Sequence, residues 1–232
     1  MALPFTLGTL VTRCRQRFSA GDGDVLEDPE VKGLISEYYG ELHALTVEKG
    51  ARCFEAEATI TATGASGYAL PFDHLTTIGV DAVLSGTTGP RRPVWGPIMA
   101  TERVRLVGRT GPAFYWAEEG ANIALYPIPS DGTYKHLYVP QPTDYSAASD
   151  ATSVDLLNIY GLKFIVWGVA SVALHKSESA QQRAVDEYEK AKAQVEYWAC
   201  QRALVQPSYR VPEDMPGGSL GFPDPADWRW AP

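Results

Sequence analysis

The hydrophobic period of this sequence changes twice along the chain, and that change restricts the folds that the chain can adopt. Apolar residues recur at three- and four-residue spacing in 6–50 and again in 149–205, as they do on one face of an amphipathic helix. Between them, short alternating runs are separated by glycine, threonine and proline, a pattern typical of antiparallel strands. The sequence therefore predicts the α+β class: a helical bundle with an inserted small antiparallel β-domain and an extended C-terminal arm. The expected parts are N-terminal helices in 1–50, the β-domain in 51–143, an antiparallel helical hairpin in 144–206 and the arm in 207–232.

The N-terminal part predicts two helices, of which the first lies within 6–18. The second begins where Asp28 can cap the free backbone N–H groups and where Pro29, which has no N–H to satisfy, takes the first helical position. Gly50 ends this helix. Its apolar face consists of Val31, Leu34, Ile35, Tyr38, Leu42 and Leu45.

The C-terminal third predicts two antiparallel helices. Asp150 or Ser153 is expected to cap the first, which runs to about Lys176 and is apolar on almost every side. A helix of that kind must be covered all round, by the bundle or by a neighbouring subunit. A capping box of Ser179 and Gln182 starts the second helix. The candidates for contact with a neighbouring subunit are Tyr160, Phe164 and Trp167.

Inside the β-domain we expect two strand pairs: 102–107 with 113–116, and 122–126 with 134–139 across a turn at 129–132. Because alternate residues of a strand share a face, Arg103 and Arg105 would lie on the same side of the sheet. The favoured interpretation is a solvated face on which arginines pair with nearby carboxylates; an interface with an acidic partner is the alternative. The expected carboxylates are Glu102, Glu118 and Glu119.

The charge of the chain is unevenly distributed. The chain has 20 Lys and Arg residues and 28 Asp and Glu residues, so its formal net charge is −8. This charge disfavours a free-standing nucleic-acid binder, because contacts with phosphates need cations. Seven of the acidic residues fall in 24–50, together with only two lysines. The simplest interpretation of that segment is a solvated outer face of the second helix.

No motif in the sequence predicts catalysis, a cofactor or a metal. Four histidines, His43, His74, His136 and His175, lie in different segments and form no HxxxH or HxH pair. Three distant cysteines, Cys14, Cys53 and Cys200, argue against a disulfide scaffold and suit a reducing compartment. The arginines beside Cys14 could lower a thiol pKa, although such a neighbourhood is usually incidental. The start of the chain lacks the pattern of a signal peptide, and no run is apolar enough for a membrane span, so the sequence predicts a soluble intracellular protein.

The segment Tyr68-Ala-Leu-Pro-Phe-Asp-His-Leu-Thr-Thr-Ile-Gly-Val80 resembles the Y-x-L-P-x-D-F pattern, followed by a strand, of tailed-phage head–tail adaptor proteins. The order of the other segments is also similar. An amphipathic helix opens at Asp28-Pro-Glu30, a strand ends in Leu125-Tyr-Pro-Ile-Pro129, and Tyr138-Val-Pro-Gln-Pro142 leads into the last helices. The resemblance covers roughly residues 5–205.

The resemblance implies a virion structural protein and not an enzyme. Its partners would be the portal protein, a downstream neck or tail protein, and copies of itself in a ring of twelve, through which double-stranded DNA passes without specific binding. The protein would lie in the neck between capsid and tail, after assembly in the host cytoplasm. The residues expected to bind the portal lie in the arm: Tyr209, Phe222, Trp228, Arg229 and Trp230. The candidates for lining the channel are Glu30, Glu37, Glu41 and Glu48.

Two alternatives stay open on sequence grounds. Another virion ring protein, such as a tail-tube or tail-terminator protein, would be dominated by β-structure and would lack the C-terminal helical hairpin. A small hydrolase that gathers carboxylates or Ser and His groups from separate elements is the less favoured alternative.

Overall fold

A computed structural model describes residues 4–18, 26–84, 86, 88–174 and 178–205 of the chain. Its elements in chain order are β1 (Pro4–Thr6), α1 (Leu7–Phe18), α2 (Asp28–Glu48), β2 (Ala56–Thr61), β3 (Tyr68–Ala69), β4 (His74–Val83), β5 (Arg91–Val94), α3 (Ala100–Leu106), β6 (Tyr115–Glu119), β7 (Asn122–Tyr126), β8 (Thr133–Pro140), β9 (Ser153–Asp155), α4 (Ile159–Ala173) and α5 (Glu178–Val205). Neighbouring strands of each sheet pair in antiparallel fashion. The predicted α+β class is confirmed.

Helices α1, α2, α4 and α5 share one hydrophobic core. Each contributes buried side chains at three- and four-residue spacing, because that spacing places them on one side of a helix. The buried members of this core include Leu7, Leu10, Ile35, Leu42, Phe164, Ile165 and Val195.

The start of α2 differs from the prediction by one residue. The capping position is Glu27, whose backbone N–H donates to Oε2 of Glu30 over 2.9 Å. Asp28 is the first helical residue, and its carboxylate lies 2.7 Å from the guanidinium of Arg15, so it serves an ion pair instead of a cap. Gly50, with a φ of +74°, follows the end of the helix as predicted, since glycine adopts this left-handed conformation without steric cost.

The predicted start of α4 at Asp150 or Ser153 is wrong. Ser153 belongs to β9, which pairs with β1 near the N-terminus of the chain, and the helix begins only at Ile159. The side chain of Asn158 caps it: Oδ1 accepts the backbone N–H of Tyr160 at 2.7 Å and that of Gly161 at 3.0 Å. The strand partner is about 150 residues away in sequence, so local periodicity holds no information about it.

Replacement of this cap gives a first testable prediction. We expect Asn158→Ala to lower the free energy of unfolding by about 1–2 kcal/mol, because two helical N–H groups lose their acceptor. Asn158→Asp keeps an acceptor oxygen and is the matched control. Urea denaturation followed by circular dichroism measures both; equal losses in the two variants would contradict the assigned cap.

The strands between α2 and β9 form two packed sheets covered by a helix. The four-stranded sheet has the order β2-β8-β4-β5, and the three-stranded sheet has the order β3-β7-β6. Their facing side chains form a second core, which includes Ile60, Val80, Trp116, Ile123, Leu125 and Tyr134. On the other side of the three-stranded sheet, Ile98 and Leu106 pack against Ala117, Ala124 and Tyr126. Helix α3 therefore covers the outer face of that sheet.

Two expectations for this region are wrong. Residues 102–107 are not a strand: they belong to α3 and the turn that follows it. One edge of β6 pairs with β7, and residues 95–98 bond to the other edge, where the N–H of Ile98 donates to the carbonyl of Trp116 over 2.9 Å. Arg103 and Arg105 therefore share no sheet face. The strands predicted at 122–126 and 134–139 both exist, but they lie in different sheets. Pro127 and Pro129 lie between them and offer no N–H groups to continue a hairpin ladder.

Within the described ranges, none of the helices combines the length and the apolar character that crossing a membrane requires.

Candidate assembly surfaces

Four exposed carboxylates form a single stripe along α2. Glu30, Glu37, Glu41 and Glu48 are all exposed. Their spacings of seven, four and seven residues keep them within about 40° of one another around the helix axis and extend the stripe over about 27 Å. We call this set the carboxylate stripe. The sequence placed these residues on the solvated face, and the structure brings them into one line.

Local contacts fix only parts of the carboxylate stripe. The hydroxyl of Tyr188 donates to Oε2 of Glu41 over 2.8 Å, and burial, followed by this carboxylate, raises the pKa of that tyrosine. Glu48 lies 3.6 Å from the ammonium of Lys49. Glu37 makes no ion pair with any residue that the structure describes. The stripe therefore presents largely uncompensated negative charge to its surroundings.

The three candidates for subunit contact on α4 differ in accessibility. Phe164 is 1% exposed, and its ring centroid lies 6.3 Å from that of Tyr38 and 5.0 Å from that of Tyr188, so it has no surface to offer to a second copy. Trp167 is half-buried under the guanidinium of Arg17, at 5.0 Å. Tyr160 is half-buried beside α5. The chain's own helices therefore cover most of the apolar surface of α4.

Tyr160 also lines a shallow groove between α4 and the C-terminal part of α5. The groove has a volume of about 370 Å³, and its other lining residues are Ala193, Gln194, Tyr197, Trp198 and Gln201. The side chain of Tyr197 is well exposed at its rim. This groove is mostly apolar and lies close to the point where the described chain ends.

The residues expected to bind a portal lie outside the described residues. They are Tyr209, Phe222, Trp228, Arg229 and Trp230. Residues 19–25, which include Asp24, and His175 also lie outside them, and so does the side chain of Ser179, the predicted cap of α5.

Two histidines that the sequence separates meet between the two sheets. Thr77 Oγ1 lies 3.1 Å from Nε2 of His74 and 2.9 Å from Nε2 of His136. Oε1 of Glu118, from the facing sheet, accepts the backbone N–H of Thr77 at 3.0 Å and lies 3.4 Å from Nε2 of His74. Burial, followed by the neighbouring His74, lowers the pKa of His136 to about 4.

This polar cluster joins the sheets and does not form a metal centre. Among the described residues, no group of three or more His, Cys, Asp or Glu side chains is arranged to hold a metal ion. No local motif could reveal the pair, because 62 positions separate the two histidines and only the β4–β8 register brings them together. The one available signal was the alternation of Tyr134, His136 and Tyr138, which places the histidine on the inner side of its strand.

The other residues that the sequence singled out, the arginines of the β-domain and Cys14, take part in structural contacts. Arg103 pairs with Glu119 at 2.8 Å, which confirms the predicted pairing for that arginine, and Arg91 pairs with Glu57 at 2.6 Å. Burial raises the pKa of the Cys14 thiol to about 12, so the neighbouring arginines do not activate it.

Comparison with known proteins gives one match that covers most of the chain. A family model described as SU10 adaptor protein matches residues 5–215. No curated protein matches the chain significantly.

Proposed function

Since the chain belongs to the SU10 adaptor protein family, a phage head–tail adaptor family, we propose that copies of it form a ring below the portal that bridges portal and neck or tail proteins around the DNA channel. The family has a structural role in the virion, and an adaptor interacts with other phage head and tail proteins. The ring of twelve, the position in the neck and assembly in the host cytoplasm are part of the proposal. No observation among the described residues favours the tail-tube or hydrolase alternatives.

The observation that carries the proposal is the carboxylate stripe on α2. DNA that moves through a protein ring must not adhere to its wall, and fixed negative charge repels phosphate over about a Debye length, roughly 8 Å at physiological salt. A line of four carboxylates about 27 Å long is suited to such a wall. We place Glu30, Glu37, Glu41 and Glu48 toward the channel.

Charge reversal on the stripe tests this placement. We expect the double variant Glu37→Lys with Glu41→Lys to slow DNA ejection from assembled particles, because the lysines would attract the phosphates that the carboxylates repel. Glu37→Gln with Glu41→Gln should give a smaller effect. Ejection is measured by release of labelled DNA in a series of salt concentrations, and the difference should shrink as salt increases.

The control for this experiment is Asp131→Lys, an equal change of charge per site at an exposed position between β7 and β8. If particles with the double lysine variant eject DNA at the same rate as this control, the stripe does not face the channel.

The C-terminal arm is proposed to clamp the portal. Trp228 and Trp230 carry large apolar side chains of the kind that dominate protein interfaces, with Arg229 between them. The opposite face of the ring would bind the next neck or tail protein.

Removal of the arm tests its role. We expect deletion of 207–232 to leave the circular dichroism spectrum and melting temperature essentially unchanged while abolishing co-sedimentation with portal. The double variant Trp228→Ala with Trp230→Ala should weaken binding in the same direction. Tyr197→Ala, an exposed aromatic of α5, is the matched control. If the chain that lacks 207–232 co-sediments with portal as fully as the intact chain does, the arm does not clamp the portal.

A further inference from the structure

Helix α3 presents apolar side chains to solvent beside two arginines. The exposed fractions of Met99, Val104 and Val107 are 72%, 76% and 62%. Arg105 and Arg109 are exposed as well. We call these five residues the α3 surface. A single exposed apolar residue is ordinary, whereas three on one seven-residue helix and its two flanking residues offer unusual apolar area to another protein segment.

The packing of α3 fixes the direction of this surface. Ile98 and Leu106 pack onto Tyr126 and its neighbours in the three-stranded sheet, so the remaining sides of the short helix face outward. The main chain after the helix is held as well, since the carbonyl of Arg109 accepts the N–H of Ile128 at 2.9 Å. The α3 surface is therefore an exposed face of a fixed element.

The charges of this surface are uncompensated. Arg91 and Arg103 in the same region have carboxylate partners at 2.6 and 2.8 Å. Arg105 and Arg109 make no ion pair with any carboxylate in the described part of the chain. In a protein with a net charge of −8, two such arginines next to apolar side chains indicate an acidic, apolar ligand. DNA fits less well, because its phosphates would gain nothing from the valines and the methionine.

One segment of this chain has the complementary composition. Residues 211–227 contain four carboxylates and no lysine or arginine. Apolar residues lie between them: Val211, Met215, Leu220 and Phe222. We propose that this segment docks on the α3 surface of its own chain, with its carboxylates toward Arg105 and Arg109 and its apolar side chains against Val104 and Val107.

The length of the connection limits how far the segment can reach within one chain. Helix α5 ends near Gly50, where a Cβ would lie 3.8 Å from the Cβ of Ala203, and β2 starts six residues after that glycine. The five residues from Gln206 to Arg210 can span about 17 Å when extended, and the 14 residues from Gln206 to Ser219 about 46 Å, so the Leu220 end of the segment has the longer reach. A tethered segment of this length has an effective concentration near the millimolar range, so modest contacts suffice to dock it. Trp228 and Trp230 lie beyond the docked residues, so Trp228→Ala with Trp230→Ala tests the portal contact alone. Phe222, expected from the sequence to bind the portal, contacts the α3 surface in this proposal.

Photo-crosslinking in the full chain tests the docking. With p-benzoylphenylalanine in place of Phe222, we expect crosslinks to map to 99–109. When isotopically heavy and light chains are mixed, each crosslink should join two parts of the same chain. Val104→Ser with Arg105→Glu should lower the yield by about fivefold, equivalent to a loss of about 1 kcal/mol of binding. Val172→Ser with Arg183→Glu, at exposed positions of α4 and α5, should leave it unchanged.

Three outcomes would overturn the proposal: crosslinks that map to the groove at 193–201, crosslinks that join heavy to light chains, or a yield that Val104→Ser with Arg105→Glu does not lower. Because both substituted residues are exposed, the melting temperature of this variant should match that of the parent chain, and this measurement separates loss of docking from loss of folding.

Discussion

Phe164→Ala should lower the free energy of unfolding by about 3–5 kcal/mol, the largest effect of a single substitution that we expect in this protein. The ring lies at the centre of the helical core and is 1% exposed. Its aromatic neighbours come from two other helices: Tyr38 from α2 and Tyr188 from α5. Removal of the ring leaves a cavity that three rigid helices cannot close, so both the transfer free energy and the contacts around the cavity are lost.

Urea denaturation at neutral pH measures this effect, with Ile159→Ala as control, because Ile159 lies on the same helix and is exposed. The control should lose less than about 1 kcal/mol. A stable Phe164→Ala monomer that fails only in ring assembly would contradict our assignment and would return this residue to the subunit interface.

Acidification should destabilise the protein through His136, with a loss of about 3 kcal/mol between pH 6.5 and 4. The folded chain holds this imidazole neutral, because burial and then His74 lower its pKa to about 4, whereas an unfolded histidine titrates near pH 6.5. Between these two values the unfolded chain binds more protons than the folded chain. Stability is therefore complete above about pH 6.5 and decreases as the pH falls toward 4.

The hydrogen bonds around Thr77 explain why protonation is unfavourable. Because the carboxylate of Glu118 lies near Nε2 of His74, that nitrogen carries the hydrogen and donates to Thr77 Oγ1. The threonine hydroxyl then donates to Nε2 of His136, which must be unprotonated to accept. A proton on His136 turns its acceptor into a donor and interrupts the chain of hydrogen bonds between the two sheets.

Unfolding free energies of the parent chain and His136→Gln, measured from pH 7.5 to 4, test this expectation. The variant should be less stable at pH 7 but should lose stability more gradually on acidification. Part of the slope should remain, since burial also lowers the pKa of His43. Parallel curves for the two proteins would show that His136 does not control the acid sensitivity, as would imidazole resonances of His136 that titrate near pH 6.5.

The sequence predicted some elements well because their signals are local. The apolar stripe of α2 predicted Val31, Ile35 and Leu42 as core residues, and all three are buried. The strands at 122–126 and 134–139 followed from turn residues and alternation. The resemblance to phage adaptors rested on short motifs in a fixed order, and the family match over 5–215 confirms it.

Other features depended on partners that are distant in sequence. Ser153 looked like a helix cap until β1 provided a strand for it to pair with. Residues 102–107 alternate like a strand, yet they form most of α3, because β7 and residues 95–98 occupy the two edges of β6, the strand with which they were expected to pair. The pairing of His74 with His136 likewise exists only in the register between β4 and β8.

The amino-acid sequence by itself determined the α+β class, the division into helical ends around a β-rich middle, the acidic character of α2 and the membership in an adaptor family. Periodicity, capping chemistry and charge act over a few residues, so a single stretch of sequence contains them in full. The tertiary structure alone decided which strands pair, which apolar residues of α4 stay inside the chain, and which side of α3 faces outward. These outcomes depend on competition among distant segments for the same hydrogen-bond partners and the same buried surface, and no local pattern records the result of that competition.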